Sequence, residues 1–319
     1  MAQKILLLDD MDQDGKDYLT SHGCEVEVAE AKTEEERVKA IRDADPAGIV
    51  VKTGTAVTKE MIEAAPSLQI VARHGVGYDN IDIAAASMHK VWVVHVPDGN
   101  FVSVAEHAMF LILALAKRYG FISDKFRKGD FAVRQTIIGE ELAGKTLGLV
   151  GTGHIGSELA KIAVGGFSMK ALGYSRHSKK GDVTEEGIVM AGSREEVLSE
   201  ADFAVLCLPS TPQTRHSIGF RELSSMKKTA YFINVARGDI VVEKDLLRAI
   251  QEGVIAGAGL DVFDPEPPAK DNPLLSMDNV IVTPHYAAIT ADSLRRVARS
   301  CAVQIIQALS GEKPEWPLN

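Results

Sequence analysis

Three polar side chains with complementary chemistry each follow a predicted β-strand. Arg237 follows FINVA, His285 follows VIVTP, and Glu266 lies in the turn DPEPP after AGAGLDVF. A guanidinium can bind a carboxylate through two hydrogen bonds, and an imidazole can protonate a carbonyl oxygen. Flanking prolines restrict the backbone of Glu266, so its carboxylate can be held against the histidine and favour the charged ring. The set predicts a carboxylate clamp, a general acid and a group that orients the acid.

Each of these residues alone also has an ordinary explanation, which for Arg237 is as good as the functional one. A lone arginine in a turn is often a surface residue, most single histidines are not catalytic, and an acid between prolines usually faces solvent. Because parallel strands of an α/β sheet end at the same edge, where ligands bind, three such residues at strand ends favour one shared site.

A glycine-rich turn between a strand and a helix predicts a dinucleotide site. The run TLGLV leads into the hexapeptide GTGHIG, which is followed by the helical segment SELAKIA. The first glycine permits a tight turn, the second admits a pyrophosphate close to the backbone, and the third allows the helix to pack on the strand. The candidate cofactor residues here are Gly151, Gly153, His154, Ile155 and Gly156.

The end of the next strand predicts which nicotinamide cofactor is preferred. An NAD site carries an acid there to bind the adenine ribose, but this chain has Ser175 followed by Arg176, with His177, Lys179 and Lys180 close behind. A missing carboxylate and added positive charge favour a 2′-phosphate, so we predict NADP(H) over NAD(H), with NAD(H) still possible. A solvated basic loop is the alternative.

Two further residues at strand ends are candidates for the cofactor site. Pro209 ends the run DFAVLCLP, and Asp261 ends AGAGLD. Asp261 is expected near the nicotinamide, where it would accept a hydrogen bond from the carboxamide. An ordinary turn acid is an equally good interpretation of Asp261.

The two sets of residues together predict a reaction class. A hydride-carrying cofactor, a carboxylate clamp and a proton donor are what the reduction of a small 2-keto acid at C2 requires. Lys52 and His74 lie in presumed substrate loops, where they could meet a charged or hydroxylated distal group. For a lone lysine, a solvated surface position is the commoner alternative.

Alternating strand and helix patterns supply the elements that would position these residues. Four strand-like runs precede residue 99, and six more follow Lys145, with helical segments between them. This alternation predicts an α/β fold with a doubly wound parallel sheet. Ser103 and Glu106 form a capping-box pattern that predicts a helix from Ser103 to about Tyr119, stopped by Gly120. Thr290 is predicted to cap a final helix through Ser310.

Composition limits the partners. The 319 residues carry a formal net charge of −9, which offers no general attraction for nucleic acids or anionic membranes. The longest apolar stretch is too short to span a bilayer, and the first residues do not form a secretory signal. The three cysteines are far apart and lie in no metal-binding pattern, so we expect no metal and a reducing, cytoplasmic location.

The order of four segments, GTGHIG, NVARGDIV, GLDVFDPEPP and TPHYAAIT, resembles the D-isomer-specific 2-hydroxyacid dehydrogenase family along nearly the whole chain. The resemblance implies that Arg237 binds substrate and that Glu266 partners the catalytic His285. It also implies that backbone amides near Val76 and Gly77, in the segment RHGVGYDNID, hold the substrate carboxylate. Tyr286 stands where the family often has a small residue.

The resemblance also implies an architecture. A flavodoxin-like substrate domain would comprise residues 1–99 and 290–319, and a Rossmann cofactor domain would comprise residues 100–289. Two copies of the chain would form a homodimer through their cofactor domains. Ser175 and a chain ending at Asn319 point to glyoxylate/hydroxypyruvate reductases. The alternatives are an NAD-dependent enzyme like phosphoglycerate dehydrogenase and, in another class, a dinucleotide-sensing co-repressor that binds cofactor without turnover.

Overall fold

Two compact units make up the chain in the computed structural model, which describes residues 2–319. One unit comprises residues 2–100 together with Ile289–Asn319, and the other is Phe101–Ala288. Each unit contains one parallel sheet with helices around it. The predicted α/β class is therefore confirmed, while the assignment of the units to substrate and cofactor stays a prediction.

The first unit has a five-stranded sheet in the order β2-β1-β3-β4-β5. Apolar residues of α1 and α11 cover one face, and those of the other helices cover the opposite face. All four residues of β3 and of β4 are buried, as expected for central parallel strands. The strands are β1 Gln3–Leu7, β2 Cys24–Val28, β3 Gly48–Val51, β4 Ile70–Arg73 and β5 Trp92–Val94; the helices are α1 Gln13–Ser21, α2 Glu34–Ala44, α3 Lys59–Glu63, α4 Ile83–Met88 and α11 Ala291–Leu309.

The second unit has a seven-stranded sheet in the order β12-β11-β10-β9-β6-β7-β8. The strand order reverses at β6 and β9, so their carboxyl ends flank the crevice where such sheets bind ligands. The strands are β6 Thr146–Val150, β7 Lys170–Tyr174, β8 Ile188–Met190, β9 Phe203–Leu206, β10 Tyr231–Asn234, β11 Gly257–Leu260 and β12 Val280–Val282; the helices are α5 Phe101–Ala116, α6 Tyr119–Arg127, α7 His154–Phe167, α8 Arg194–Glu200, α9 Phe220–Ser224 and α10 Glu243–Gln251. Short 3-10 helices span Phe131–Gln135, Gly238–Ile240 and Pro273–Ser276.

The ends of two helices test the capping predictions. Helix α11 begins after Thr290, whose side chain accepts a hydrogen bond from the amide of Ser293, and this prediction is confirmed. The prediction for α5 is wrong, because the helix begins at Phe101 and Ser103 is buried inside its first turn. Gly120 does not stop it either. Arg118 adopts a left-handed backbone conformation after α5, and Gly120 lies within α6.

The last residues of the chain, Leu318 and Asn319, lie along the edge of the first unit's sheet. The amide of Leu318 donates to the carbonyl of Val93, and the Asn319 side chain accepts from the Val93 amide and donates to the carbonyl of Val91. The outer side of β5 is therefore covered. Within residues 2–319, no helix combines the length and apolar character needed to cross a lipid bilayer.

Candidate active site

A histidine–carboxylate pair lies beyond the ends of β11 and β12. The Nδ1 of His285 and the Oε2 of Glu266 are 2.8 Å apart, and both side chains are partly exposed. Since a carboxylate accepts, the ring carries its proton on Nδ1 in this pair. The Nε2 atom is then left to exchange a proton with a ligand, as the sequence prediction for His285 requires.

The carboxyl group of Glu266 is held in its charged form. Burial alone would raise its pKa, but the hydrogen bond and charge of His285 act in the opposite direction. The Phe263 amide, which donates to Oε1 at 3.0 Å, and the positive charge of Arg237 also lower it. The pKa of Glu266 therefore lies below its ordinary value. A charged Glu266 accepts the Nδ1 proton of His285 and so fixes the orientation of the ring.

Arg237 belongs to the same cluster, at the end of β10. Its Nη1 donates to the carbonyl of Ala236 at 2.7 Å, and the buried Asn234 side chain holds the turn by donating to the Arg237 carbonyl. A Cβ on Gly238 would lie 1.9 Å from the carbonyl oxygen of Phe263, so only glycine lets this turn pack against the segment that leads to Glu266. The structure thus brings together the three residues of the predicted catalytic set.

Asp261 lies beneath the histidine turn and is only 1% exposed. Its carboxylate accepts hydrogen bonds from the Thr283 hydroxyl at 2.6 Å and from the amides of Tyr286 and Ala287. Its own carbonyl accepts from the amide of His285, which has a left-handed φ of 52°. Asp261 therefore holds the turn that presents His285. Its expected contact with the nicotinamide stays a prediction.

His107 of α5 is a member of this network that the sequence did not reveal. Its Nε2 lies 3.0 Å from the Thr283 hydroxyl and 3.6 Å from the Asp261 carboxylate. Burial lowers the pKa of His107, and this effect outweighs the opposing charge of Asp261. His107 lies 176 positions from Thr283 in the sequence, and the pattern of its helix indicates only a buried apolar segment. No local sequence signal therefore predicts its place in this network.

The glycine-rich turn has the geometry that a dinucleotide requires. Gly151 has a positive φ of 104°, and a Cβ there would lie 2.4 Å from the carbonyl of Cys207. A Cβ on Gly156 would meet the carbonyl of Gly151 at the same distance, whereas the space beside Gly153 is open. Gly153 is the N-cap of α7, and the lining of a pocket at this helix end includes Thr152, Gly153 and His154. Free amides at a helix N-terminus suit a pyrophosphate, so the predicted residues fit the cofactor.

The segment after β7 is exposed at its basic residues. Ser175 is partly buried, and Arg176, His177 and Lys179 are exposed. Lys180 instead pairs with Glu196 at 2.8 Å, which leaves Arg176 and Lys179 as the better candidates for a phosphate contact. Pro209 is exposed just beyond β9, and its carbonyl accepts from the Thr214 hydroxyl.

In the first unit, the expected substrate residues follow two neighbouring strands. Lys52 directly follows β3, and Val76 and Gly77 come soon after β4. The Asn80 side chain donates to the carbonyl of Lys52 at 3.0 Å, and the Lys52 amide donates to Asp9. His74 is buried in the same segment. Across residues 2–319, no group of three or more metal-binding side chains occurs.

Comparisons with known proteins identify the family of the chain. Residues 109–287 match the family model described as D-isomer specific 2-hydroxyacid dehydrogenase, NAD binding domain. The chain is 42% identical over 316 residues to the D-3-phosphoglycerate dehydrogenase of Methanocaldococcus jannaschii, covering 99% of this chain and 59% of that protein. It is 38% identical over 329 residues to the glyoxylate reductase of Pyrococcus furiosus, covering 100% of this chain and 96% of the other.

A solved structure extends the comparison to the fold. The crystal structure of a Thermus thermophilus protein superposes with a TM-score of 0.89 at 30% identity, covering 99% of this chain and 100% of that one. The chain spans 59% of the length of the Methanocaldococcus protein. The match to the NAD binding domain identifies a nicotinamide dinucleotide as the cofactor. By the family match and the near-complete alignment with the glyoxylate reductase, the chain belongs to the D-isomer specific 2-hydroxyacid dehydrogenase family.

Proposed function

We propose that the chain is an oxidoreductase that interconverts a small 2-keto acid and the corresponding D-2-hydroxy acid. The observation that carries the proposal is the 2.8 Å contact between His285 and a charged Glu266, with Arg237 close enough to lower the pKa of that carboxyl. An acid–base pair beside a guanidinium suits a carbonyl that lies next to a carboxylate.

Each residue of the cluster has a defined role in the reduction. The bound cofactor supplies the hydride that C2 receives. Protonated His285 gives its Nε2 proton to the carbonyl oxygen, so that one hydride and one proton convert the ketone to an alcohol. Glu266 accepts the Nδ1 proton of His285 and orients the ring, and Arg237 binds the carboxylate and polarises the carbonyl. The resemblance also assigns the amides of Val76 and Gly77 to the substrate carboxylate, and this assignment is part of the proposal.

The test is a panel of 2-keto acids assayed by loss of NADPH or NADH absorbance. Glyoxylate, hydroxypyruvate and phosphohydroxypyruvate should be included with larger analogues. Turnover of at least one of them is the expected result. Tight cofactor binding without turnover of any member would support the co-repressor alternative and overturn the proposal.

We propose glyoxylate or hydroxypyruvate as the substrate type. Support comes from the glyoxylate reductase, which aligns over 96% of its own length. The second candidate is a phosphorylated substrate, as in a phosphoglycerate dehydrogenase, because that relative is 42% identical over 99% of this chain. Lys52 supplies a positive charge that the hydroxyl of hydroxypyruvate or the phosphate of the second candidate could use. A higher kcat/KM for the phosphorylated keto acid would favour the second candidate.

NADP(H) is the proposed preferred cofactor. Support comes from the absence of a carboxylate at Ser175 and from the exposed Arg176 and Lys179. Ser175→Asp should repel a 2′-phosphate and accept hydrogen bonds from a ribose, because charged hydrogen bonds contribute about 1.5–3 kcal/mol. The ratio of kcat/KM for NADPH over NADH is therefore expected to fall by about 10- to 100-fold.

The matched control for this experiment is Ser199→Asp, which adds the same charge at an exposed position on α8. It should leave the cofactor ratio unchanged. A wild-type enzyme that already prefers NADH, or a Ser175→Asp variant with an unchanged ratio, would overturn the proposed preference.

A homodimer formed through the second unit is also proposed. Five large apolar side chains are exposed on α5, α6 and the segment that follows; Ile138 is 90% exposed, and the others are Phe110, Tyr119, Phe126 and Phe131. The rings of Phe126 and Phe131 lie 6.0 Å apart, and clustered solvent-facing apolar side chains commonly mark association surfaces. The wild-type protein is expected to sediment at twice its chain mass of 34.4 kDa.

Paired substitutions test that surface. Phe131→Asp combined with Ile138→Asp should place two charges in the interface and shift the protein to a monomer. Val183→Asp, at a valine that is 65% exposed in the same unit, is the control and should remain dimeric. A monomeric wild-type protein at micromolar concentration would contradict the proposal.

A further inference from the structure

His95 makes a contact that the roles assigned so far do not use. It directly follows β5, and its Nδ1 lies 2.8 Å from the carbonyl oxygen of Val76, which comes soon after the neighbouring strand β4. A carbonyl oxygen can only accept, so the proton of this hydrogen bond is on Nδ1. The tautomer of the neutral ring is therefore fixed.

This hydrogen bond determines where the next amide points. A trans peptide unit is planar, so the N–H of Gly77 is directed away from the Val76 carbonyl and hence away from His95. The amides of Val76 and Gly77 donate to no acceptor in the part of the chain that the structure describes. Two consecutive amides without acceptors are the donors that a carboxylate needs.

His95 is itself held at several points. Its carbonyl accepts from Nε2 of Gln304, a side chain that is 0% exposed, and its amide donates to the carbonyl of Trp316. The ring meets Tyr78 edge to face, with centroids 5.4 Å apart. The following residue, Val96, donates its amide to the carbonyl of Gly75 at 2.9 Å. The loop after β4 is thus fixed to the end of β5 on both sides of Val76.

We propose that His95 is a positioning residue for the substrate carboxylate, acting through the Val76–Gly77 peptide. The inference rests on the proposed function and deepens it. Without the Nδ1 donor, the peptide can rotate, and the Gly77 N–H no longer points reliably at the ligand. Because Nδ1 carries a proton in both the neutral and the charged ring, the contribution of His95 is independent of its protonation state.

The expected kinetic effect is mainly on KM. A carboxylate is bound alike in the ground state and the transition state, so weaker binding raises KM more than it lowers kcat. His95→Phe keeps a ring beside Tyr78 but removes the donor, and it should raise KM for the keto acid about 10-fold or more, as for a lost hydrogen bond to a charged group. His95→Asn keeps an N–H donor on a short side chain and should restore KM to within about threefold of wild type.

Three readouts separate this role from a merely structural one. The ratio of KM between His95→Phe and wild type should stay constant between pH 6 and pH 8, roughly the range in which histidines titrate. The cofactor KM should be unchanged, and the urea midpoint of each variant reports folding. His89→Phe, at an exposed histidine of the same unit, is the control and should show wild-type kinetics.

The outcomes are distinguishable from failure of the proposed function. If the wild-type protein reduces no 2-keto acid, the proposed function fails first. If the wild-type protein turns over a keto acid and folded His95→Phe keeps the wild-type KM, the inference about His95 alone is overturned. Equal KM increases in His95→Phe and His95→Asn, with both variants folded, would also overturn it.

Discussion

Replacing His285 with alanine is expected to lower kcat by about 10²- to 10⁴-fold, the usual effect of losing a general acid. The dissociation constant of the cofactor should change little, because the glycine-rich turn that is proposed to bind it lies elsewhere in the unit. The 2.8 Å contact with Glu266 uses Nδ1 of His285, which leaves Nε2 as the proton donor of the proposed mechanism. Steady-state kinetics together with a fluorescence titration of the reduced cofactor would measure both quantities.

Glu266→Gln provides a second, graded test of the same pair. The amide keeps a hydrogen-bonding oxygen for Nδ1 of His285 but loses the negative charge that strengthens this hydrogen bond. The variant should therefore lose kcat, but by less than His285→Ala, because the ring keeps an orienting partner. His22→Ala, at an exposed histidine, is the control. If His285→Ala turned over substrate at the wild-type rate, His285 would not be the proton donor.

Acid should destabilise the fold through His74. Burial, followed by the positive charges of Lys52 and Arg73, lowers the pKa of His74 from 6.5 to about 4. Between these two pKa values the unfolded chain binds a proton that the folded chain does not. The contribution of neutral His74 to the free energy of unfolding is therefore complete above pH 6.5 and is lost as the pH falls towards 4. The full loss is about 3 kcal/mol, of which about 2 kcal/mol should appear by pH 5.

Urea unfolding at pH 7 and pH 5 measures the effect. His74→Gln cannot titrate in this range and should lose about 2 kcal/mol less than wild type over the same interval. The comparison stops at pH 5 because carboxyl groups with a lowered pKa, including Glu266, begin to contribute at lower pH. His22→Gln, at an exposed position, should behave like wild type. Parallel losses in wild type and His74→Gln would contradict the assignment.

The main strands could be predicted because each one is a short run of mainly apolar residues. Runs such as Phe203–Leu206 and Tyr231–Asn234 are continuously apolar or nearly so, and they are buried on both faces of a parallel sheet. The two missed strands lie at sheet edges. Cys24–Val28 alternates with glutamates, and Ile188–Met190 has only three residues, so neither shows a continuous apolar run.

The sequence could predict which residues gather at the site, because they follow strands, but not the distances between them. Arg237 and His285 follow strands of one sheet, and the parallel arrangement places those ends at one edge. Distances depend on register and turn geometry, which no local pattern encodes. The His107–Thr283 and His95–Val76 contacts join residues that are 176 and 19 positions apart, through elements whose packing the sequence does not display.

Helix boundaries show the same limit on a smaller scale. The Ser103–Glu106 pattern matches a capping box, yet α5 begins at Phe101 and buries Ser103. Thr290 matches a simpler pattern and does cap α11. Local capping chemistry indicates that a helix begins nearby, whereas burial of the apolar face against the sheet decides the first residue.

The outer strand β2 has a consequence for association between copies of the protein. Its sequence CEVEV places Glu25 and Glu27 in exposed positions along the rim of the first unit's sheet, while the opposite rim is covered by residues 316–319. Unpaired strand rims recruit other chains into fibrillar aggregates unless charge or cover prevents it. Glu27 is partly neutralised by Lys4, 3.7 Å away, so the charge of Glu25 is the main source of repulsion if two such rims meet. Charge on one rim and the C-terminal residues on the other therefore oppose aggregation through this sheet.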